Sequence, residues 1–366
     1  MAVKFTKPEV NVREKLVELD KPSGIAGEAM LRAETPQEQQ ALIGVGRRNL
    51  IINGSMQVAQ RGTTFGSTYN NAYTLDRWKA RRYAANNYYT TQENADAEDP
   101  FLYYVKVRRN TGDTSANALS LTQRIEPINF KAYRGRTVTL SFWYRTGASF
   151  SPQYFRAGIL GSTDTSATLS YWAYSSGVID KQDTQIEPST TWKQHTITYM
   201  IPSNAEQLAI AFGVETPYNW AGTAGSDDSF QVANVQLEEG KIATPFEYRS
   251  YGEELELCQR YFQTYEFTAQ TFVYIESATA SHKWIHVPGW SKTNMRTTPT
   301  VTLPSVPSNS AINGFGTNYV SSMATVGISE EALSIRVTTQ TSGGTSYELR
   351  HWDGLSGSKI QFNAEI

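Results

Sequence analysis

Residues 138–145 read Val-Thr-Leu-Ser-Phe-Trp-Tyr-Arg, and their alternation decides the fold class. A period of two residues is that of a β-strand, in which successive side chains point to opposite faces. One face of this strand carries Val138, Leu140, Phe142 and Tyr144, and the other carries Thr139, Ser141, Trp143 and Arg145. The same period recurs in HTITYMIP (195–202), LAIAFGV (208–214) and FQVANVQL (230–237). With loops between such runs and no intervening helices, residues 47–250 are predicted to form a β-sandwich.

The chain on either side of this sandwich contains the predicted helices. Residues 1–46 have no Trp or Tyr and predict short helices, one of them beginning at a capping box at Thr35–Glu38. These helices are too short to bury their apolar faces alone, so this N-terminal leader needs a partner or is disordered. Residues 251–266 predict a connecting helix that follows a second possible capping box at Ser250–Glu253.

Residues 267–366 return to strand patterns and predict a smaller C-terminal β-domain. LSIRVTTQ (333–340) and YELRHWD (347–353) flank a Gly-Gly turn, which predicts a hairpin. Ile360, Phe362, Ala364 and Ile366 alternate to the end of the sequence, which predicts a final strand packed in a sheet. The predicted fold class is therefore all-β, with a helical leader and one connecting helix.

Composition excludes several classes of protein. The 366 residues carry 33 Lys plus Arg against 35 Asp plus Glu, a formal net charge of −2 that argues against a nucleic-acid partner. The single cysteine, Cys258, excludes an intrachain disulfide and is expected to be a buried small hydrophobe. No run of about 18 apolar residues occurs, so no membrane span is predicted. The first residues have no apolar h-region, so no secretory signal is expected.

Motifs that carry chemistry are missing from the sequence. It has no C-x-x-C, H-E-x-x-H, P-loop, G-x-G-x-x-G or G-x-S-x-G string. His282 and His286 would lie about 13 Å apart on a strand, too far to share a metal ion. Carboxylate pairs occur at Asp180 and Asp183, Asp227 and Asp228, and Glu238 and Glu239. A glycosidase needs two carboxyls about 5–9.5 Å apart across a cleft, which the sequence does not place. No catalytic residue, metal ligand or cofactor is predicted.

Aromatic side chains in Tyr- and Asn-rich loops are the candidate binding residues. Sugar rings stack on exposed aromatic rings and are oriented by nearby amides and hydroxyls. The candidates for carbohydrate binding are Tyr69, Tyr73, Tyr88, Tyr89, Trp172, Tyr174, Tyr218 and Trp220. Each could instead be a core ring or a loop anchor.

Basic residues alternate in two further stretches. Arg77, Lys79 and Arg81 form one set, and Lys106 and Arg108 form the other. If the two strands pair, they would make a basic stripe that could hold anionic sugars or phosphates; the alternative is an ordinary solvated face.

Ordered strings across residues 47–265 resemble a jelly-roll domain of bacteriophage tail fibre and receptor-binding proteins. The strings are NLIINGSMQVAQRG (49–62), Asp76-Arg77-Trp78, Gln123–Glu126, Gly135–Trp143, Thr191-Trp192, QLEEGKIATPFE (236–247) and Glu254–Phe262. Residues 29–46 are similar to the connectors of tail fibre stalks. The resemblance implies a homotrimer whose leader, residues 1–46, attaches to other virion tail proteins.

The same architecture is similar to jelly-roll carbohydrate-binding modules. Those modules often hold a structural calcium through an Asp-Asp pair in an F-x-V-D-D-V strand, where this chain has Ala233 and Asn234. Both acids are replaced, so the resemblance does not carry the calcium site to this chain.

A bacterial carbohydrate-binding module is one option, although the missing secretory signal weighs against it. Three other functions remain open. The first is a non-catalytic virion adhesin, made in the host cytoplasm and placed in the tail, that attaches to host-surface polysaccharide or lipopolysaccharide. The second is a structural connector whose aromatic loops bind other virion proteins. The third is a surface-polysaccharide depolymerase, ranked last because the sequence has no β-helix repeat.

Overall fold

The computed structural model describes part of residues 47–365. The described residues are 47–66, 71–82, 88–115, 118–165, 169, 178–214, 220–266, 272–279, 282–287, 295–303, 311–313, 318–328, 333–339, 348–353 and 359–365. The predicted leader, residues 1–46, lies outside them.

Two six-stranded antiparallel sheets make the sandwich. The front sheet has the order β1-β4-β5-β12-β7-β10, with β1 at Thr64–Phe65, β4 at Tyr88–Asn94, β5 at Tyr103–Arg109, β7 at Thr137–Thr146, β10 at Lys193–Met200 and β12 at Ser229–Glu239. The back sheet has the order β2-β3-β6-β11-β8-β9, with β2 at Ala72–Tyr73, β3 at Lys79–Arg82, β6 at Leu119–Ile125, β8 at Phe155–Ser162, β9 at Val178–Ile186 and β11 at Gln207–Val214. Helix α1 (Pro127–Phe130) and a 3₁₀ turn (Lys131–Tyr133) link β6 to β7.

Strands β5 to β12 are wound as a jelly roll. The outermost pair, β5 with β12, lies in the front sheet, and the next pair, β6 with β11, lies in the back sheet. The pair β7 with β10 returns to the front sheet, and the innermost pair, β8 with β9, lies in the back sheet. These nested antiparallel pairs alternate between two sheets, which is the jelly-roll topology. The predicted fold class, an all-β jelly-roll sandwich, is confirmed.

The core lies between the sheets and follows the alternation read from residues 138–145. Val138, Leu140, Phe142 and Tyr144 of β7 are all buried in it. The ring centroid of Phe142 lies 4.9 Å from that of Phe212 on β11 in an edge-to-face contact. The other face of β7 therefore points out of the sandwich.

The opening string, NLIINGSMQVAQRG at residues 49–62, packs against β12. The Asn49 side-chain amide donates to the Val235 carbonyl over 3.0 Å, and its oxygen accepts from the Leu237 amide over 3.1 Å. The Val235 amide donates to the Gly54 carbonyl over 2.9 Å. A Cβ at Gly54 would lie 2.1 Å from the Val235 oxygen, so only glycine allows this approach. The string QLEEGKIATPFE (residues 236–247), called the finishing string, also contacts this segment. Its Glu247 carboxylate accepts from the backbone amide of Asn49 over 2.6 Å.

Helix α2 (Tyr251–Gln259) begins as predicted and ends earlier than predicted. Both hydrogen bonds of the Ser250–Glu253 capping box are present. The predicted helix extended to residue 266, but residues 262–266 form strand β13 (Phe262–Glu266), which pairs with the final strand β21 (Lys359–Asn363). Cys258 is buried as expected, and burial raises the pKa of its thiol well above the usual value.

The C-terminal strands form two separate sheets. One holds β13, β21 and β16 (Thr300–Thr302) in the order β13-β21-β16, which confirms the packed final strand. The other is a closed six-stranded sheet in the order β14-β15-β19-β18-β17-β20, with β14 at Phe272–Thr279, β15 at His282–Val287, β17 at Ala311–Asn313, β18 at Asn318–Ile328, β19 at Leu333–Thr339 and β20 at Glu348–Asp353.

The predicted hairpin between β19 and β20 is wrong. Strand β19 pairs with its sequence neighbour β18 and with β15, and β20 pairs with the more distant β14 and β17. The hairpin expected from the Gly-Gly pattern therefore does not form; the residues of that pattern lie outside the described ranges.

The two strands that would form the basic stripe do not pair. Strand β3, with Lys79 and Arg81, belongs to the back sheet, whereas β5, with Lys106 and Arg108, belongs to the front sheet. Arg77 is buried in a turn, where its guanidinium lies 3.7 Å from the Tyr261 ring centroid. Arg77 also forms an ion pair with Glu365, which links the residues after β21 to the sandwich.

Within the described residues, no helix is both long and apolar enough to cross a membrane.

Candidate functional site

A groove lies on the outer face of the front sheet. It encloses about 830 Å³. It is lined by Pro100, Ser141, Trp143, Gln194, His195, Thr196, Asn234, Ala243, Thr244, Pro245, Phe246 and Tyr248. Strands β7 and β10 form one wall, because Ser141 is paired with Thr196 and Trp143 with Gln194. Residues 243–248, which follow β12, form the other wall. We call this feature the outer-face groove.

A β-bulge turns Asn234 toward the outer face. The pairing of β12 with β7 shifts register between Ala233 and Gln236. Asn234 has a φ of 44°, a left-handed conformation that Asn tolerates better than most residues. Val232 and Val235 both remain in the core, so the two residues between them point outward together. Bulges are known to redirect side chains in this way.

The Asn234 amide has a fixed orientation. Its nitrogen donates to the Tyr248 hydroxyl over 2.8 Å and to the Pro100 carbonyl over 3.5 Å. The Tyr248 hydroxyl in turn donates to the Pro100 carbonyl over 2.5 Å, so the phenol oxygen is the acceptor for Asn234. Flipping the amide would place its oxygen against two acceptors. The Asn234 Oδ1 atom is buried and has no hydrogen-bond partner among the described residues.

The wall formed by residues 243–248 is held from behind by Gln236 and Glu238, which begin the finishing string (residues 236–247). Glu238 is 1% exposed and accepts from the Thr244 amide over 2.8 Å and from the Thr244 hydroxyl over 2.6 Å. The Gln236 oxygen accepts from the Glu247 amide over 2.8 Å. Gln236 and Glu238 therefore hold the wall in place, and later residues of the same string, 243–246, line the groove.

An aromatic cluster adjoins the groove on the same face. It consists of Phe101, Tyr104, Trp143 and Trp192. The ring centroids of Phe101 and Trp192 lie 4.7 Å apart, edge to face. The guanidinium of Arg145 lies 4.6 Å from the Trp192 ring centroid. This packing supports Trp143 from one side, and its half-buried ring lines the groove.

The groove lining has no charged side chain at neutral pH. Burial lowers the pKa of His195 below its usual value, so its imidazole is neutral at pH 7. None of the lining residues carries a carboxylate. The arrangement offers an aromatic ring beside neutral hydrogen-bonding groups, which suits an uncharged polar ligand.

The carboxylate pairs considered in the sequence make structural contacts. Asp228 pairs with Arg109 over 2.7 Å, and both side chains are fully buried. Asp227 pairs with Lys106 over 2.7 Å. Asp183 pairs with Arg156. The Arg109 guanidinium also donates to the carbonyl oxygens of Ser115, Ala221 and Gly222, which surround it together with Asp228. No group of three or more metal-ligating side chains occurs in the part of the chain that the structure describes.

The structure separates the predicted binding residues. Tyr88 and Trp220 are each 1% exposed in the core, so neither offers a face to a sugar. Tyr73 is half-buried beside Arg61, and burial raises its pKa to about 12. Tyr89 is half-buried on the outer face of β4, with Arg108 5.3 Å from its ring centroid, and does not line the groove. Tyr69, Trp172, Tyr174 and Tyr218 lie outside the described residues.

None of the twelve groove residues was among the binding candidates predicted from the sequence. The missed residues that matter most for ligand contact are Trp143, Gln194, Asn234 and Tyr248. The alternation of residues 138–145 had placed Trp143 on the polar face, so the pattern could have identified an outward-facing Trp. No sequence pattern identifies the bulge at Asn234.

Comparisons with known proteins return structural likenesses only. No protein-family model matches the chain, and no curated protein matches it. The chain is similar to the enzymatically active domain of tailspike protein 4 from bacteriophage CBA120, at 16% identity and a TM-score of 0.35 over 52% of this chain and 21% of that one. It is also similar to a CBM4 structure, at 19% identity and a TM-score of 0.30 over 51% of this chain and 98% of that one. A third is TmCBM61 in complex with β-1,4-galactotriose, at 14% identity and a TM-score of 0.31 over 53% of this chain and 100% of that one. The chain thus spans about a fifth of the tailspike domain, and the jelly-roll assignment rests on strand topology.

Proposed function

We propose that the outer-face groove binds a glycan. The observation that carries this proposal is the half-buried Trp143 ring set among neutral hydrogen-bonding side chains in one groove. A sugar ring has an apolar C–H face that stacks on an aromatic ring and a hydroxyl edge that needs polar partners. Gln194 and Thr196 are exposed on the neighbouring strand, where they can meet that edge. Phe246 and Tyr248 offer two further rings across the groove.

We further propose that this glycan belongs to a bacterial surface and that the chain is a non-catalytic adhesin of a phage tail fibre. The ordered strings between residues 49 and 262 support this proposal. Such an adhesin would act as a homotrimer, with residues 1–46 attached to other tail proteins, and would reside in the virion. Three weak sites per fibre would raise the effective affinity through avidity. Sedimentation equilibrium of the full chain tests the assembly, and a stable monomer would contradict it.

Removing groove side chains is expected to weaken glycan binding. Trp143→Ala should lower affinity at least about tenfold, or about 1.4 kcal/mol, because the stacking ring is lost. Gln194→Ala removes an exposed amide and should weaken binding without affecting stability. Thr198→Ala is the matched control, because Thr198 lies on the same strand and face but outside the groove lining. Calorimetry with the best glycan from an array measures all three variants, with thermal melting as a check on folding.

The same glycan tests the depolymerase alternative. The groove lining has no carboxylate to act as an acid, base or nucleophile, which favours binding without cleavage. Prolonged incubation followed by chromatography should therefore return the polymer at its starting length. Released oligosaccharides would contradict the non-catalytic proposal.

A further inference from the structure

We infer that the outer-face groove selects uncharged glycan segments and rejects segments that carry carboxylate, sulfate or phosphate. This inference rests on the proposed function of the groove and adds the class of ligand. It follows from where the hydrogen-bond protons of the wall at residues 243–248 are used, and from the lack of a cationic side chain among the residues that line the groove.

The polar side chains on this wall have already used their donor protons. The Thr244 hydroxyl donates to Glu238. The Tyr248 hydroxyl donates to the Pro100 carbonyl. The Asn234 nitrogen donates to Tyr248 and Pro100, which leaves its oxygen unpaired. A hydroxyl has one donor, so these side chains offer a ligand no hydrogen-bond donor. The Asn234 oxygen is buried and the Thr244 oxygen already accepts from Arg48 and Gln236, so the exposed Tyr248 oxygen is the one of the three that can still accept from a ligand.

An acceptor wall distinguishes neutral from anionic sugars. A sugar hydroxyl can donate a proton to it, whereas an ionised carboxylate, sulfate or phosphate has only acceptor oxygens. Facing an acceptor with an acceptor leaves both without a partner and costs the desolvation of the anion.

The charges behind the wall have both signs. Glu238 lies directly behind Thr244, is 1% exposed, and accepts hydrogen bonds from Thr244 and Gln236. The Arg48 guanidinium, outside the lining, donates to the Thr244 hydroxyl over 2.8 Å and to the Pro245 carbonyl over 3.3 Å, so it is already engaged. Glu247 lies behind the same wall and accepts from the backbone of Arg48 and Asn49, with its nearest guanidinium contact to Arg249 at 3.6 Å. Arg145 on the same face is engaged by Gln231 and Tyr104. A bound anion would thus meet no cation in the lining, and the nearby guanidinium groups are already engaged.

An array of neutral and anionic bacterial glycans, probed with the labelled full chain, tests the inference. We expect the hits to be neutral glycans, with carboxylated, sulfated or phosphorylated relatives at least about tenfold weaker. Affinity for a neutral hit should change less than about twofold between about 0.05 and about 0.5 M NaCl, because no ion pair is screened. Hits that are mainly anionic, or equal in both sets, would overturn the selectivity and leave glycan binding intact. An array with no hits would overturn the proposed function itself.

A charge added to the opposite wall should shift this preference. Gln194 is exposed on β10, so Gln194→Lys places a cation at the groove without disturbing the core. This variant should gain anionic hits and a salt-dependent affinity. Thr198→Lys adds the same charge outside the lining and should leave the array pattern unchanged. Equal gains from both variants would show that general surface charge controls the selectivity, which contradicts the inference.

Discussion

Arg109→Met is expected to lower the free energy of unfolding by about 3–5 kcal/mol, because it leaves the buried Asp228 carboxylate unpaired. The Arg109 guanidinium and Asp228 lie 2.7 Å apart with both side chains at 0% exposure. Arg109 also donates to the carbonyls of Ser115 over 2.9 Å, Ala221 over 3.0 Å and Gly222 over 3.2 Å. One side chain therefore holds two loop segments together, the one that contains Ser115 and the one that contains Ala221 and Gly222.

Urea denaturation followed by tryptophan fluorescence measures this loss. Arg108→Met is the control, because its half-exposed side chain points outward toward the Tyr89 ring, and it should cost less than about 1 kcal/mol. The double variant Arg109→Met/Asp228→Asn should recover part of the loss, since the buried charge is then removed. A loss below about 1 kcal/mol for Arg109→Met would contradict the proposed role of this ion pair.

Gly54→Ala is expected to cost about 1–3 kcal/mol and to weaken glycan binding at the same time. The new methyl group would lie 2.1 Å from the Val235 carbonyl oxygen, so the opening string and β12 must separate. Val235 directly follows Asn234 in the bulge, and the Val235 amide donates to the Gly54 carbonyl. A shift of this strand segment therefore moves Asn234 and the groove wall.

Gly252→Ala is the matched control for this substitution. Gly252 lies in helix α2, and a Cβ there meets no atom within 4 Å. Alanine in a helix is favoured over glycine by up to about 1 kcal/mol, so this variant should be neutral or stabilising. Calorimetric melting and glycan titration of both variants separate the two outcomes. Unchanged stability in Gly54→Ala would show that the close approach is not required.

Local patterns predicted the sandwich because the information lies within single strands. Alternation in residues 138–145 assigned both faces of β7 correctly, since burial on one face fixes the side-chain period. The capping box at Ser250 was also predictable, because its two residues, Ser250 and Glu253, lie close together in the sequence. The end of helix α2 was not, because residues 262–266 pair with a strand about a hundred residues later. The hairpin between β19 and β20 was not predictable either, because β20 pairs with β14 and β17, which lie well before it in the sequence.

The candidate site depends on contacts between distant segments. Tyr and Trp in loops indicated binding, but Tyr88 and Trp220 supply core packing, for which large rings are also suited. The outer-face groove requires a bulge at Asn234, and that bulge is held by Asn49 and Gly54 from the opening string. A sequence pattern can mark such residues as similar to a family, but it does not show that they meet at one point.

The most direct test of glycan binding at the outer-face groove is a crystal structure of the full chain with the tightest neutral glycan from the array. The account predicts a sugar ring stacked on Trp143, with hydroxyls near Gln194 and the wall that contains Tyr248. A glycan bound elsewhere, such as beside Tyr73 or Tyr89, would contradict it.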